Sequence, residues 1–249
     1  MTTLVLVHGN PETAAIWGPL TEHLGRSDVK ALSPPGFGAP VPAGFSATWD
    51  GYTGWLTGEL ESIGEPVDLV GHDWGGGHVM RVAVERPDLI RSWVTDIAGC
   101  FASDYEWHDA AKVWQTPGDG EKSLEAMTSL PAADRAAAFQ ALGMTEEVAA
   151  AVAPAVNEDM AACILTLYRS AAQPAMAEFG KSLAEAAGRP GLVVIPTDDH
   201  YTGGEARARW AAQQAGAEVA VLEGLGHWWM VQDPARGAEV LRRFLGALG

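Results

Sequence analysis

The residues best placed to do chemistry stand in Gly71-His72-Asp73-Trp74-Gly75-Gly76, directly after the short apolar run Val67-Asp68-Leu69-Val70. A buried strand that runs straight into a glycine-flanked turn has the sequence shape of a nucleophile elbow, a strained strand-to-helix corner that holds out its middle residue. Small residues are needed two places before and two places after that residue, because neighbouring backbone comes very close there. Gly71 and Gly75 supply them. The middle residue is Asp73, a carboxylate where acyl transfer would use a serine. A carboxylate that attacks an ester carbonyl forms an anhydride that reverts, whereas one that attacks a saturated carbon forms a persistent ester, so Asp73 points to alkyl-enzyme chemistry. Asp is also a common helix N-cap, and the context decides between the two readings.

That context is the set of elements around the elbow. Thr3 to Val7 reads as a strand followed by the sharp loop His8-Gly9-Asn10-Pro11, where the Asn10 N–H can face the elbow as part of an oxyanion hole. Leu20 to Leu24 fits a short helix, Val29 to Leu32 a second strand, and Thr48 to Ile63 an amphipathic helix stopped at Gly64. The elbow helix is expected to begin near Gly76 and to run to Glu85, with a strand following over Ile90 to Ile97. From about Ala98 to Gly188 the pattern changes to Ala-rich helical runs broken by Pro and Gly, with no strand-like segment. Gly191 to Pro196 and Glu218 to Leu222 read as further strands, Glu205 to Gln214 and Ala235 to Leu248 as helices. Alternating strands and helices argue for an α/β fold with a mostly parallel sheet. The order puts Asp73, Asp199 and His227 each just past the C-terminal end of a strand, the edge where such sheets build their sites.

Composition bounds the partners. The 249 residues carry 16 Lys and Arg against 32 Asp and Glu, a formal charge of −16, which argues against nucleic acid and anionic membrane surfaces. Two cysteines, Cys100 and Cys163, are too few for a disulfide framework, and a reducing cytoplasm is expected. The N-terminus has no secretory pattern, and no apolar run reaches spanning length. His23, His78, His108 and His200 lack metal-ligand spacing, so neither a metal nor a cofactor is expected.

Taken together, His8-Gly9-Asn10-Pro11, Gly71-His72-Asp73-Trp74-Gly75-Gly76, Asp198-Asp199 and Gly226-His227-Trp228 resemble the α/β-hydrolase fold superfamily. Within it they resemble the aspartate-nucleophile branch of epoxide hydrolases and haloalkane dehalogenases. The resemblance covers essentially the whole chain and implies a sheet of about six strands, since the chain starts at the strand carrying His8-Gly9. It also implies helices on both faces and a helical lid between core strands: residues 1–97 and 189–249 as the core, 98–188 as the lid. It implies that Asp73 is alkylated, that His227 activates the water that splits the ester, and that Asn10 and Trp74 N–H groups hold the oxyanion. Asp199 follows its strand where the family's acid stands; Asp96 is the alternative, because some dehalogenases of this branch carry their acid there.

The leaving group divides the expectations. Epoxide opening needs a donor to the oxygen, and Tyr168, in Leu165-Thr166-Leu167-Tyr168-Arg169-Ser170, resembles the family's lid motif, with Tyr105 a possible second donor. Dehalogenation needs halide donors, for which Trp74 and Asn10 match, joined by Trp107 or Trp114. Tyr105, Trp107, Trp114 and Trp228 are expected to line an apolar pocket for a small hydrophobic substrate. Epoxide hydrolysis is the leading expectation, dehalogenation the alternative, and a non-catalytic small-ligand binder a third. The protein is expected to act as a monomer or homodimer.

Overall fold

The structure is a computed structural model and describes residues 2–249. Six strands, β1 (Leu4–Val7), β2 (Val29–Leu32), β3 (Val67–Gly71), β4 (Ile90–Thr95), β5 (Gly191–Pro196) and β6 (Glu218–Leu222), form one sheet in the order β2-β1-β3-β4-β5-β6. Every neighbouring pair is parallel. β1, β3 and β5 are buried along their whole length, which is why they read as apolar runs, broken only by Asp68 of β3, which Arg91 and Ser92 hold: a parallel sheet covered on both faces has no polar side to alternate with. The edge strands β2 and β6 are only partly covered.

The covering helices are α1 (Gly18–Leu24), α2 (Trp49–Ile63), α3 (Trp74–Glu85), α10 (Gly204–Gln214), α11 (Trp229–Gln232) and α12 (Pro234–Ala247). α1 packs with α12 and α2 with α3. Between β4 and β5 the chain inserts α4 (Asp109–Gln115), α5 (Asp119–Ser129), α6 (Ala132–Ala141), α7 (Glu146–Val152), α8 (Glu158–Ser170) and α9 (Ala175–Gly180), with no strand among them. No single helix among the described residues is long and apolar enough to cross a membrane.

Among the boundaries that differ from the sequence expectation, two bear on the site. α3 starts at Trp74 rather than near Gly76, because the turn completes itself at Asp73 and the glycines lie inside the first helical turn. β4 ends at Thr95, so Asp96 lies just beyond the strand. The sheet order reverses direction between β1 and β3, and the crevice beyond the carboxyl ends of those two strands is where open parallel sheets place ligands.

Candidate active site

Asp73 has φ 50° and ψ −130°, and it is the one non-glycine residue with positive φ among those described. Such backbone costs about 1–3 kcal/mol and persists only where the surroundings enforce it. The surroundings here are glycines. A Cβ on Gly71 would lie 2.4 Å from the Gly75 carbonyl oxygen, and one on Gly75 would lie 2.2 Å from that of Val7. A Cβ on Gly9 would fall 2.0 Å from Asp73 Oδ1. The loop after β1 and the turn after β3 therefore close on each other, and the Asn10 N–H donates to Asp73 Oδ1 at 2.9 Å.

Across from Asp73 stands His227, in the loop after β6. Its Nε2 is 3.8 Å from Asp73 Oδ2, too long for a direct hydrogen bond, and its Nδ1 is 2.9 Å from Asp199 Oδ2. Asp199 is held in turn by the Tyr201 N–H at 2.8 Å. Burial pushes the His227 imidazole down, but Asp199 outweighs it and the net shift is upward. Burial pushes Asp199 up, and His227 pulls it below the usual carboxylate range. Burial also lifts Asp73, to about 6, against the pull of His227.

Asp73 and His227 open on a cavity of about 230 Å³. Asn10, Trp114, Tyr168 and Trp228 line it, and Met127, Leu130, Phe139 and Leu142 give it an apolar wall from the inserted helices. Tyr168, on α8, meets Trp74 edge-on at 5.2 Å between ring centroids. Burial and Asp73 raise its hydroxyl well above the ordinary tyrosine range, although the nearby Trp74 and Asn10 side chains favour ionisation. The Asn10 amide itself forms no hydrogen bond. A second void of about 20 Å³ also touches Asp73, lined by Tyr105, Trp107 and Cys100 among others.

A model of the alpha/beta hydrolase family matches residues 4–240. The chain belongs to that family. A curated relative is the (E)-2-((N-methylformamido)methylene)succinate hydrolase of Acinetobacter baylyi, 31% identical over 90 residues, which are 35% of this chain and 34% of that protein. Lipase LipV of Mycobacterium tuberculosis is 32% identical over 94 residues, 36% and 35% of the two chains. The matched segment spans about a third of the length of each of these relatives. Among solved structures, the haloalkane dehalogenase DbeA from Bradyrhizobium elkani aligns over 99% of this chain and 91% of its own, with TM-score 0.72 and 21% identity. An E-2-(acetamidomethylene)succinate hydrolase aligns over 98% and 91%, with TM-score 0.76 and 16% identity. At these identities the likeness is one of fold.

This alpha/beta hydrolase carries a buried network behind the site that the sequence did not reveal. His72, next to Asp73, holds Asp96 Oδ2 through Nδ1 at 2.5 Å and Glu12 Oε1 through Nε2 at 3.1 Å. All three are sealed from solvent. Trp228 Nε1 donates to Glu12 at 2.7 Å, Trp229 Nε1 to Asp96 at 2.8 Å, and the Asp73 N–H to Asp96 Oδ1 at 3.1 Å. Burial disfavours the His72 cation, but Asp96 and Glu12 hold its pKa well above the ordinary value. Asp96 is thus engaged with His72 and the elbow backbone, not with His227. This corrects the alternative in which it serves His227. Glu12, His72 and His227 offer ligand atoms within 4.8 Å of one another, but both nitrogens of His72 and Nδ1 of His227 already have carboxylate partners.

Tyr105 also departs from expectation. Its hydroxyl donates to the Tyr201 carbonyl at 2.8 Å, so it lines the smaller void as a ring rather than as a free donor. Trp107 lines the same void, with its indole nitrogen buried and unpartnered. Two further residues face the main cavity without having been singled out, His108 and Arg135. Nothing in their local sequence marks them, because each is brought there by the packing of the inserted helices.

Proposed function

We propose that this alpha/beta hydrolase opens hydrophobic epoxides to diols through an ester on Asp73. The single observation that carries the reading is the paired environment of the Asp73 oxygens. Oδ1 is fixed by the Asn10 N–H, while Oδ2 faces His227 and the cavity. Oδ2 is then the attacking oxygen, and Oδ1 becomes the carbonyl oxygen of the ester, already in contact with a donor that can stabilise an oxyanion. Trp74 opens α3, so its N–H is one that a helix leaves unpaired and would serve as a second donor to the oxyanion that forms on Oδ1.

In the second half of the reaction His227 Nε2 takes a proton from a water that attacks the carbonyl carbon, and Asp199 stabilises the imidazolium that forms. The 3.8 Å separation of His227 from Asp73 favours this division of labour over direct proton exchange between them. Tyr168 supplies the proton to the epoxide oxygen. Its placement on the cavity wall beside Asp73, with a hydroxyl kept protonated by burial, supports that role. The apolar wall from the inserted helices, acting as a lid, supports a hydrophobic substrate.

One observation favours haloalkane dehalogenation as the second reading. Asn10 and Trp107 line the spaces around Asp73, and the Asn10 amide and the Trp107 indole nitrogen are buried with no hydrogen-bond partner, so a shift of either side chain would offer a departing halide an uncommitted donor. Intact mass spectrometry of His227→Gln after exposure to styrene oxide and, separately, to 1-bromobutane separates the two. An adduct on Asp73 with the mass of the whole epoxide supports epoxide hydrolysis. An adduct with the mass of the butyl group alone, bromide being released, supports dehalogenation. An unmodified protein in both incubations contradicts an Asp73 ester.

A further inference from the structure

We infer that His108 is a second catalytic donor at this site, its Nε2–H hydrogen-bonding the oxygen that leaves the substrate carbon when Asp73 attacks. The inference rests on the epoxide-opening reading above and adds a residue to it. His108 is the N-cap of α4, and its Nδ1 accepts the Ala111 N–H at 3.3 Å. A ring nitrogen that accepts a hydrogen bond carries no proton, so the one proton of the neutral ring sits on Nε2. An imidazolium would set its own Nδ1–H against the Ala111 N–H. Burial acts in the same direction and lowers the His108 pKa to about 4. The cap therefore fixes the tautomer as well as the charge.

The ring that carries the remaining nitrogen is well placed. His108 lines both the 230 Å³ cavity and the 20 Å³ void, and Asp73, Tyr168 and Tyr201 are the other three residues common to both. Its ring centroid is 6.2 Å from that of Tyr168 and 5.1 Å from that of Tyr201. Nε2 makes no hydrogen bond to any described residue and, unlike the sealed indole nitrogen of Trp107, keeps access to open space. Tyr105, the other candidate for a second donor, has its hydroxyl committed to the Tyr201 carbonyl.

An Asp73 oxygen forms a C–O bond to the substrate carbon while the epoxide C–O bond breaks and its electron pair stays on oxygen. Tyr168 gives that oxygen its phenolic proton. His108 keeps its proton and donates only a hydrogen bond. When water splits the ester, one water proton passes through His227 to the released alcohol oxygen, and the proton left on the Asp73 carboxyl restores Tyr168.

Asn and Ser are good N-caps, so His108→Asn and His108→Ser keep an acceptor for α4, while their shorter side chains place no donor where the Nε2–H stands. In the His227→Gln background, the rate of ester formation from styrene oxide is followed by intact mass, with thermal midpoints in parallel. Both variants should melt with the parent and form the ester about 100-fold more slowly, the usual cost of one lost oxyanion donor. Parent-like rates in either folded variant overturn the role of His108 while leaving epoxide opening intact. Absence of any epoxide adduct in the parent removes the epoxide reading and this inference with it.

Discussion

His227 Nδ1 and Asp199 Oδ2 lie 2.9 Å apart, although the residues stand 28 positions apart beyond the ends of two different strands. The pairing fixes which His227 nitrogen faces Asp73. It also leaves Asp96 free to pair with His72, so two carboxylate–imidazole pairs sit side by side, with the His72 and His227 rings 4.5 Å apart. Only the His227 pair reaches the cavity; the His72 pair braces the elbow through the Asp73 N–H.

The two chemical steps should titrate differently. Burial raises Asp73 to about 6, and only the carboxylate attacks, so ester formation should be full above that pH and fall as pH drops through it. Hydrolysis needs neutral His227, whose pKa is raised above 6.5, so that step should fail first as pH falls. Single-turnover rates of the two steps between pH 5 and 9 should place the hydrolysis limb at the higher pH; the reverse order contradicts the assignment.

Replacing Tyr168 by Phe keeps the ring against Trp74 and removes the acid. Ester formation from an epoxide should fall by roughly 10²–10⁴-fold, the usual contribution of a positioned acid, with little change in thermal midpoint. An equal loss with a bromoalkane, whose leaving group takes no proton, would argue for packing instead.

Glu12→Gln should cost about 3–5 kcal/mol at pH 7, as removal of one partner from a buried ion pair does. Burial raises the Glu12 carboxyl, but His72 outweighs it and holds it at about 2, against 4.5 in the unfolded chain. A depressed carboxyl contributes its stability above 4.5 and loses it as pH falls toward 2. Urea unfolding of wild type and variant should therefore converge as pH drops through that window and stay apart at pH 7.

Gly75→Ala sets a Cβ against the Val7 carbonyl and should destabilise by about 1–3 kcal/mol, the ordinary cost of overpacking. Gly58→Ala, in the interior of α2 with open space around it, should instead stabilise by about 0.5–1 kcal/mol. Thermal melts of the two variants moving in the same direction would contradict the close approach at the elbow.

The sheet was legible because its central strands are buried on both faces, so Leu4–Val7, Val67–Val70 and Leu192–Ile195 stand out as apolar runs between glycines and prolines. Asp73 and His227 were legible because turn chemistry marks them locally. Glu12 was not: its partners His72 and Trp228 lie 60 and 216 positions away, and no short pattern encodes such a pairing. The start of α3 differs from the sequence expectation because Gly75, Gly76 and Gly77 weaken the helix signal in its first turn, where Val7 leaves no room for a Cβ on Gly75 and Thr95 none on Gly76. Helix α11 leaves no sequence signal, because four residues are too few to establish a periodicity.

The central claim is that Asp73 itself becomes the ester, and a single turnover in ¹⁸O-water tests it most directly. With protein in excess over styrene oxide, the new hydroxyl oxygen should come from Asp73, leaving the first diol unlabelled and the ¹⁸O in the peptide that contains Asp73. Label in the first-turnover diol, with an unlabelled Asp73 peptide, would mean that water attacks the substrate directly and would contradict the account.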